Sequence, residues 1–121
     1  LRAKIEDHTD EIELVERDLE AGAPTLVVSW GITAGAVREG VRNVRAGGGK
    51  ASSLILQSLW PFPEAALRDA LQGVERVVVA ELNHGQVRRE VERVAPGVEV
   101  VGLHRVDGEL IAPAEVEEHA R

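Results

Sequence analysis

The sequence predicts an α/β fold, a mostly parallel sheet covered by helices on both faces. Three observations point there. Short, continuous apolar runs bounded by turn residues have the length and composition of strands buried on both sides. Between them lie segments whose apolar residues recur at helical spacing, so strands and helices alternate as right-handed βαβ units require. Of the 121 residues 44% are hydrophobic, yet the aromatics are two Trp and one Phe, which leaves a core of Val, Leu, Ile and Ala. A chain of this length makes one domain around one core.

Taken in order, Leu1 and Ile5 stand four apart with charges between them, a helical spacing over residues 1–8. That mid-helix opening, with no methionine anywhere, is what a segment of a longer chain would show. Residues 12–16 partly alternate apolar and charged side chains, the pattern of an edge strand covered on one face. Ala21-Gly22-Ala23-Pro24 turns the chain, and residues 25–29 then form an apolar run expected to be the central strand. After Gly31, the residues Ala34, Val37, Val41 and Val44 make a helical stripe opposite Arg38, Glu39, Arg42 and Arg45, with Thr33 as N-cap and Gly47 as the C′ residue. Gly40 lies mid-helix beside that stripe, where it costs about 1 kcal/mol relative to Ala, so a neighbouring backbone is expected close by.

Residues 53–56 are the next strand. Pro61-Phe62-Pro63 follows it, and Pro63 starts a helix with Leu67, Ala70, Leu71 and Val74 inward. Residues 76–80 are a third buried strand. Gly85 precedes a helix with Val87, Val91 and Val94 inward, which Pro96-Gly97 ends before the last strand at residues 98–101. Asp107-Gly108 makes a turn and Pro113 opens a short acidic helix.

Charge and composition exclude several functions. A net charge of −7 disfavours nucleic acid and anionic membrane as partners, because both reward a concentrated positive field. No apolar run approaches the roughly 20 residues that span a bilayer, and no basic-then-apolar leader opens the chain, so a soluble, cytoplasmic protein is expected. Cysteine is absent, which removes disulfides, zinc–thiolate sites, iron–sulfur clusters and a thiol nucleophile. Neither catalytic nor metal residues are assigned.

Several motifs have bland readings. Gly47-Gly48-Gly49-Lys50 lacks the spacing of a phosphate loop and follows a helix rather than a strand. Gly31-Ile32-Thr33-Ala34-Gly35 lies between strand and helix but lacks the second glycine of a dinucleotide fingerprint. His8 with Asp7 and Asp10 is a solvated charged face, since sequence neighbours on a helix do not converge on one ion.

In parallel sheets ligands and partners meet the carboxyl ends of the strands. The loops there are residues 30–33, 58–63 and 82–86. Glu81-Leu82-Asn83-His84-Gly85-Gln86 can be read in two ways. Asn83 and Gly85 make a turn with Gln86 capping locally, or the helix start presents unpaired N–H groups to an anion or a partner's carboxylate. Trp60-Pro61-Phe62-Pro63 is either a rigid turn covering the sheet end or a subunit contact. The candidate contact residues are therefore Trp30, Gly31, Trp60, Phe62, Asn83, Gly85 and Gln86.

Four stretches carry a family resemblance. Leu1-Arg2-Ala3-Lys4-Ile5-Glu6, Leu59-Trp60-Pro61-Phe62-Pro63, Glu81-Leu82-Asn83-His84-Gly85-Gln86 and Val106-Asp107-Gly108-Glu109-Leu110-Ile111 resemble, in order, the C-terminal region of the alpha subunit of 2-oxoacid:ferredoxin oxidoreductases, especially the 2-oxoglutarate type. His84 stands where the family's E-x-N-x-G-Q pattern has a large apolar residue. The resemblance implies a transketolase C-terminal-domain-like fold: a three-layer α/β/α domain with five strands in order 1-3-2-4-5, strand 1 antiparallel to the rest. It implies an enzyme that converts a 2-oxoacid, CoA and oxidised ferredoxin to acyl-CoA, CO2 and reduced ferredoxin. Thiamine diphosphate, magnesium and iron–sulfur clusters would lie in other domains, and none in this segment. The implied partners are the remaining domains of the alpha subunit, the beta subunit and ferredoxin. The segment itself would be inactive and structural; a free-standing domain that binds a small anion after Gly85 is the alternative.

Overall fold

The computed structural model describes residues 14–59, 61–82, 85–104 and 110–121. Leu26, Val27 and Val28 are wholly buried and set the centre of the sheet, each contributing about 1.5–3 kcal/mol through loss of apolar surface. They belong to β2 (Thr25–Trp30), which pairs in parallel with β3 (Ser52–Leu56) on one side and β4 (Arg76–Glu81) on the other. Beyond β4 lies β5 (Glu99–His104), also parallel; beyond β3 lies β1 (Val15–Asp18), antiparallel. The order is β1-β3-β2-β4-β5, as the resemblance implies.

Alternation along β2 splits the core in two. Val27 packs with Val78, Ala80 and Leu103 under α1 (Ala34–Ala46) and α4 (Pro113–Ala120). Leu26 and Val28 pack with Leu54, Leu56, Val77 and Val79 under α2 (Glu64–Ala70) and α3 (Gln86–Val94). The result is three layers, helix–sheet–helix. Gly40 has the close neighbour expected of it: a Cβ there would lie 2.7 Å from the Val116 side chain and 3.0 Å from the Pro113 carbonyl, so α4 can press on α1 only at a glycine.

The boundaries differ from expectation where side chains from distant elements intervene. β1 begins at Val15 and continues through Arg17 and Asp18, because β3 offers a ladder to both and α1 offers cations to the charged residues. Arg38 binds both carboxylate oxygens of Glu16 at 2.7 and 2.8 Å, while Arg45 reaches Asp18 at 3.0 Å and Glu20 at 3.2 Å. α2 ends at Ala70, and Leu71 and Val74 close a turn while still packing on the core. β5 runs on to His104, paired with Glu81 of β4. Thr33 is not an N-cap by its side chain: a short 3₁₀ turn, Gly31–Thr33, precedes α1, and the Thr33 hydroxyl donates to the Trp30 and Ala80 carbonyls at 3.1 and 3.3 Å. Gly47 is the C-cap, and the left-handed residue is Gly48. The helix expected at residues 1–8, the start of the expected first strand, and the Asp107-Gly108 turn lie outside the described residues.

Candidate functional site

Parallel registry brings the carboxyl ends of four strands to one edge. Trp30 stands opposite Leu56, Ser29 opposite Ala80, and Glu81 opposite His104. Because β1 is antiparallel its beginning joins them, and the Gln57 N–H donates to the Leu14 carbonyl at 2.8 Å. Loops from three parallel strands therefore share one rim, and two grooves flank it.

The first groove, about 280 Å³, is lined by Trp30, Gly31, Ile32, Thr33, Glu81 and Leu82. Trp30 is 40% exposed and Ile32 71% exposed, whereas Leu82 leans on the α1–α4 core. The second groove, also about 280 Å³, is lined by Leu59, Phe62, Gln86, Val87, Arg89 and Glu90. Phe62 and Leu59 are half-buried against the α2–α3 core, so their apolar bodies serve both core and groove. Next to them Arg93 joins α3 to α2, binding Glu64 at 2.7 Å and Glu90 at 2.8 Å, and Arg68 binds Glu64 at 3.0 Å. Hydrogen bonding by Arg93 holds the Glu64 carboxyl below the usual glutamate range.

The start of α3 answers the question that the sequence leaves open. Gly85 is its N-cap with φ +88°, a conformation suited to glycine and one that supplies no capping side chain. The first-turn N–H groups are nevertheless engaged. Val87 N–H donates to Glu81 Oε1 at 3.0 Å and Arg88 N–H to Oε2 at 3.1 Å. Glu81 is 1% exposed. In the reading that leaves these groups to an anion or a partner's carboxylate, the carboxylate is thus supplied instead by the preceding strand, and an anion-binding role loses those two donors.

Of the sequence candidates, the structure brings Trp30 and Gly31 into one groove and Phe62 and Gln86 into the other, and puts Gly85 at the helix start, next to Gln86. Trp60 and Asn83 lie outside the described residues. The sequence reasoning missed Ile32 and Leu82 as groove residues and Glu81 as the cap. The signal for Glu81 was available: a helix opening on glycine has no local cap, and an acidic residue ends the apolar run before it. Among the described residues no three His, Cys, Asp or Glu side chains gather where they could hold a metal ion.

A five-stranded sheet in this order with an antiparallel first strand, covered on both faces, defines a transketolase C-terminal-domain-like α/β domain. Solved structures share it: 2-oxoglutarate:ferredoxin oxidoreductase from Magnetococcus marinus superposes with a TM-score of 0.79 at 22% identity, over 93% of this chain and 20% of that one. A split-gene transketolase superposes with a TM-score of 0.73 at 18% identity, over 88% of this chain and 40% of that one. Residues 23–116 match the pyruvate:ferredoxin oxidoreductase core domain II, and the chain belongs to that family. It is 37% identical over 114 residues to the 2-oxoglutarate synthase subunit KorA of Methanothermobacter thermautotrophicus, a match covering 93% of this chain and 30% of that protein. The chain thus spans about 30% of the length of the curated relatives it matches.

Proposed function

We propose that this chain is a non-catalytic domain of the alpha subunit of a thiamine diphosphate-dependent 2-oxoacid:ferredoxin oxidoreductase of the 2-oxoglutarate type. The observation that carries the reading is 37% identity to a 2-oxoglutarate synthase subunit across 93% of the chain. The complete enzyme would turn a 2-oxoacid, CoA and oxidised ferredoxin into acyl-CoA, CO2 and reduced ferredoxin. Its thiamine diphosphate, magnesium and clusters belong to other domains: this sequence has no cysteine for a cluster and no Gly-Asp-Gly to hold a diphosphate through a metal. No chemical step passes through these residues.

The contribution of the domain is assembly. Its carboxyl edge, presenting Trp30, Gly31, Phe62, Gly85 and Gln86, meets the remaining alpha-subunit domains or the beta subunit and borders the active site; Trp60 and Asn83, neighbours of these residues in sequence, are assigned to the same contact. The exposed Trp30 and Ile32 and the half-buried Phe62 have the composition of contact centres, where each large side chain leaving water brings about 1–3 kcal/mol. Ferredoxin is the electron acceptor of the complete enzyme, which works in the cytoplasm. No described helix is long and apolar enough to cross a membrane.

The test is to express the full reading frame with its beta subunit and measure CoA-dependent ferredoxin reduction. Turnover of 2-oxoglutarate is expected; turnover of another 2-oxoacid with none of 2-oxoglutarate overturns the substrate. Trp30→Ala, Trp60→Ala and Phe62→Ala are expected to weaken assembly, and wild-type assembly by all three overturns the contact.

A further inference from the structure

β1 ends the sheet and brings no fully buried residue to it: Val15 and Glu16 are half-buried, Arg17 and Asp18 exposed. β3 beside it is the reverse, with all five residues buried. An apolar strand edge left bare is a template for another strand, so any opening of β1 creates a site that a strand must fill. Charge does much of the fastening. Alternate residues of an extended chain share one face, and Glu16, Asp18 and Glu20 all meet arginines of α1. Arg38 binds both Glu16 oxygens at 2.7 and 2.8 Å; Arg45, about two helical turns on, binds both Asp18 oxygens at 3.0 and 3.2 Å and Glu20 at 3.2 Å. These pairs lie at the surface, where the attraction is modest and salt screens it. A strand held this way is drawn from the low-stability end of the fold and opens by local unfolding. After Glu20 the chain reverses through Ala21-Gly22, closed by the Ala23 N–H donating to the Glu20 carbonyl at 3.1 Å. Gly22 has φ +83° there, and glycine adopts that turn or an extended link with equal ease.

We propose that β1 exchanges between two copies of this chain about the hinge Ala21-Gly22, each copy laying its β1 on the other's β3 and α1. The second copy is the occupant that this edge itself specifies. Its β1 has the register, from Val15 on Leu56 to Asp18 on Ser53, and the carboxylates that Arg38 and Arg45 bind. The closed and exchanged forms make the same contacts and differ only at the hinge, the condition under which exchange costs little.

The experiment uses the full chain in two charge-reversed variants. One carries Arg38→Glu with Arg45→Glu, the other Glu16→Arg with Asp18→Arg, so that within either one like charges face each other across β1 and α1. When the two are mixed, exchange restores both contacts, an acidic β1 on a basic α1 and a basic β1 on an acidic α1. Native mass spectrometry is expected to show a dimer with one copy of each, in at least about tenfold excess over dimers of either variant alone. A mixture that stays monomeric overturns the proposal. Gly22→Ala tests the hinge without touching the charges, and carries the comparison if a reversed variant does not fold. Alanine strains the closed turn but not an extended hinge, so it should raise the dimer's share at least about fivefold over wild type. Gly73→Ala, at φ +79° in the turn before β4, takes the same strain elsewhere and should only lower the melting temperature. Equal dimerisation by both glycine variants would show that general instability drives association. A Gly22→Ala chain that is less stable yet monomeric would show that the turn stays closed, and either result overturns strand exchange.

Discussion

Two glycines on α1 separate backbone preference from space. A methyl group at Gly35 meets nothing within 4 Å, whereas one at Gly40 meets Val116 at 2.7 Å. Gly35→Ala should therefore stabilise the domain by about 0.5–1 kcal/mol through helix propensity. Gly40→Ala should destabilise it by about 1–3 kcal/mol, because α4 must move to admit the methyl. Urea unfolding of the two variants checks the sign as well as the size; stabilisation by both would mean that α4 does not seat on α1 as described. Gly40 also illustrates what a sequence can convey: a glycine beside an apolar stripe announces a neighbour, but not which one. That the neighbour is Val116, 76 positions later, follows only from the packing of α4.

At the scale of elements, β1 is an edge strand held by charge as much as by its ladder. Hydrogen bonding by Arg38 pulls the Glu16 carboxyl below its ordinary range, and the same contact raises Arg38. A carboxylate with a lowered folded-state pKa contributes stability that is fully present above its unfolded value and is lost as pH falls through the folded one. The Glu16–Arg38 and Glu64–Arg93 pairs should therefore loosen only at acidic pH, below the usual carboxylate range, and screening by salt should weaken both. Hydrogen exchange followed against pH tests this, with β1 amides losing protection before those of β2 as pH falls. At neutral pH the Val27 and Val28 amides, on a strand flanked by β3 and β4, should be the slowest to exchange. Faster exchange there than at Val100 would contradict the observed order.

For the whole molecule, the antiparallel course of β1 has a consequence for assembly. It brings Leu14 to the rim where the Trp30 and Phe62 grooves open, the side proposed to meet the rest of the enzyme. The isolated domain should fold but neither bind thiamine diphosphate nor turn over 2-oxoglutarate, because the ligands for both chemistries are missing from its sequence. Calorimetry with thiamine diphosphate is the direct check; binding at about micromolar affinity would place cofactor chemistry in this domain after all.

The architecture was largely legible in the residues themselves. Apolar runs such as Leu26-Val27-Val28 and Val77-Val78-Val79 can satisfy their burial only as central strands, and the helical stripes between them have nowhere else to pack. Local signals of that kind depend on neighbours a few positions away, which a linear reading contains. Strand order came from family resemblance, since βαβ alternation alone does not say whether β3 lies left or right of β2. The reach of β1 through Arg17 and Asp18 was decided by tertiary structure alone, and the cap on α3, which an acidic residue before a glycine-opened helix only hinted at, was settled by it. Arg38 and Arg45 lie more than twenty residues from the carboxylates they hold, and the Glu81 side chain meets the Val87 and Arg88 N–H groups only because β4 and α3 pack against each other. Electrostatic and hydrogen-bonding partners are chosen by proximity in space, and proximity is what folding supplies.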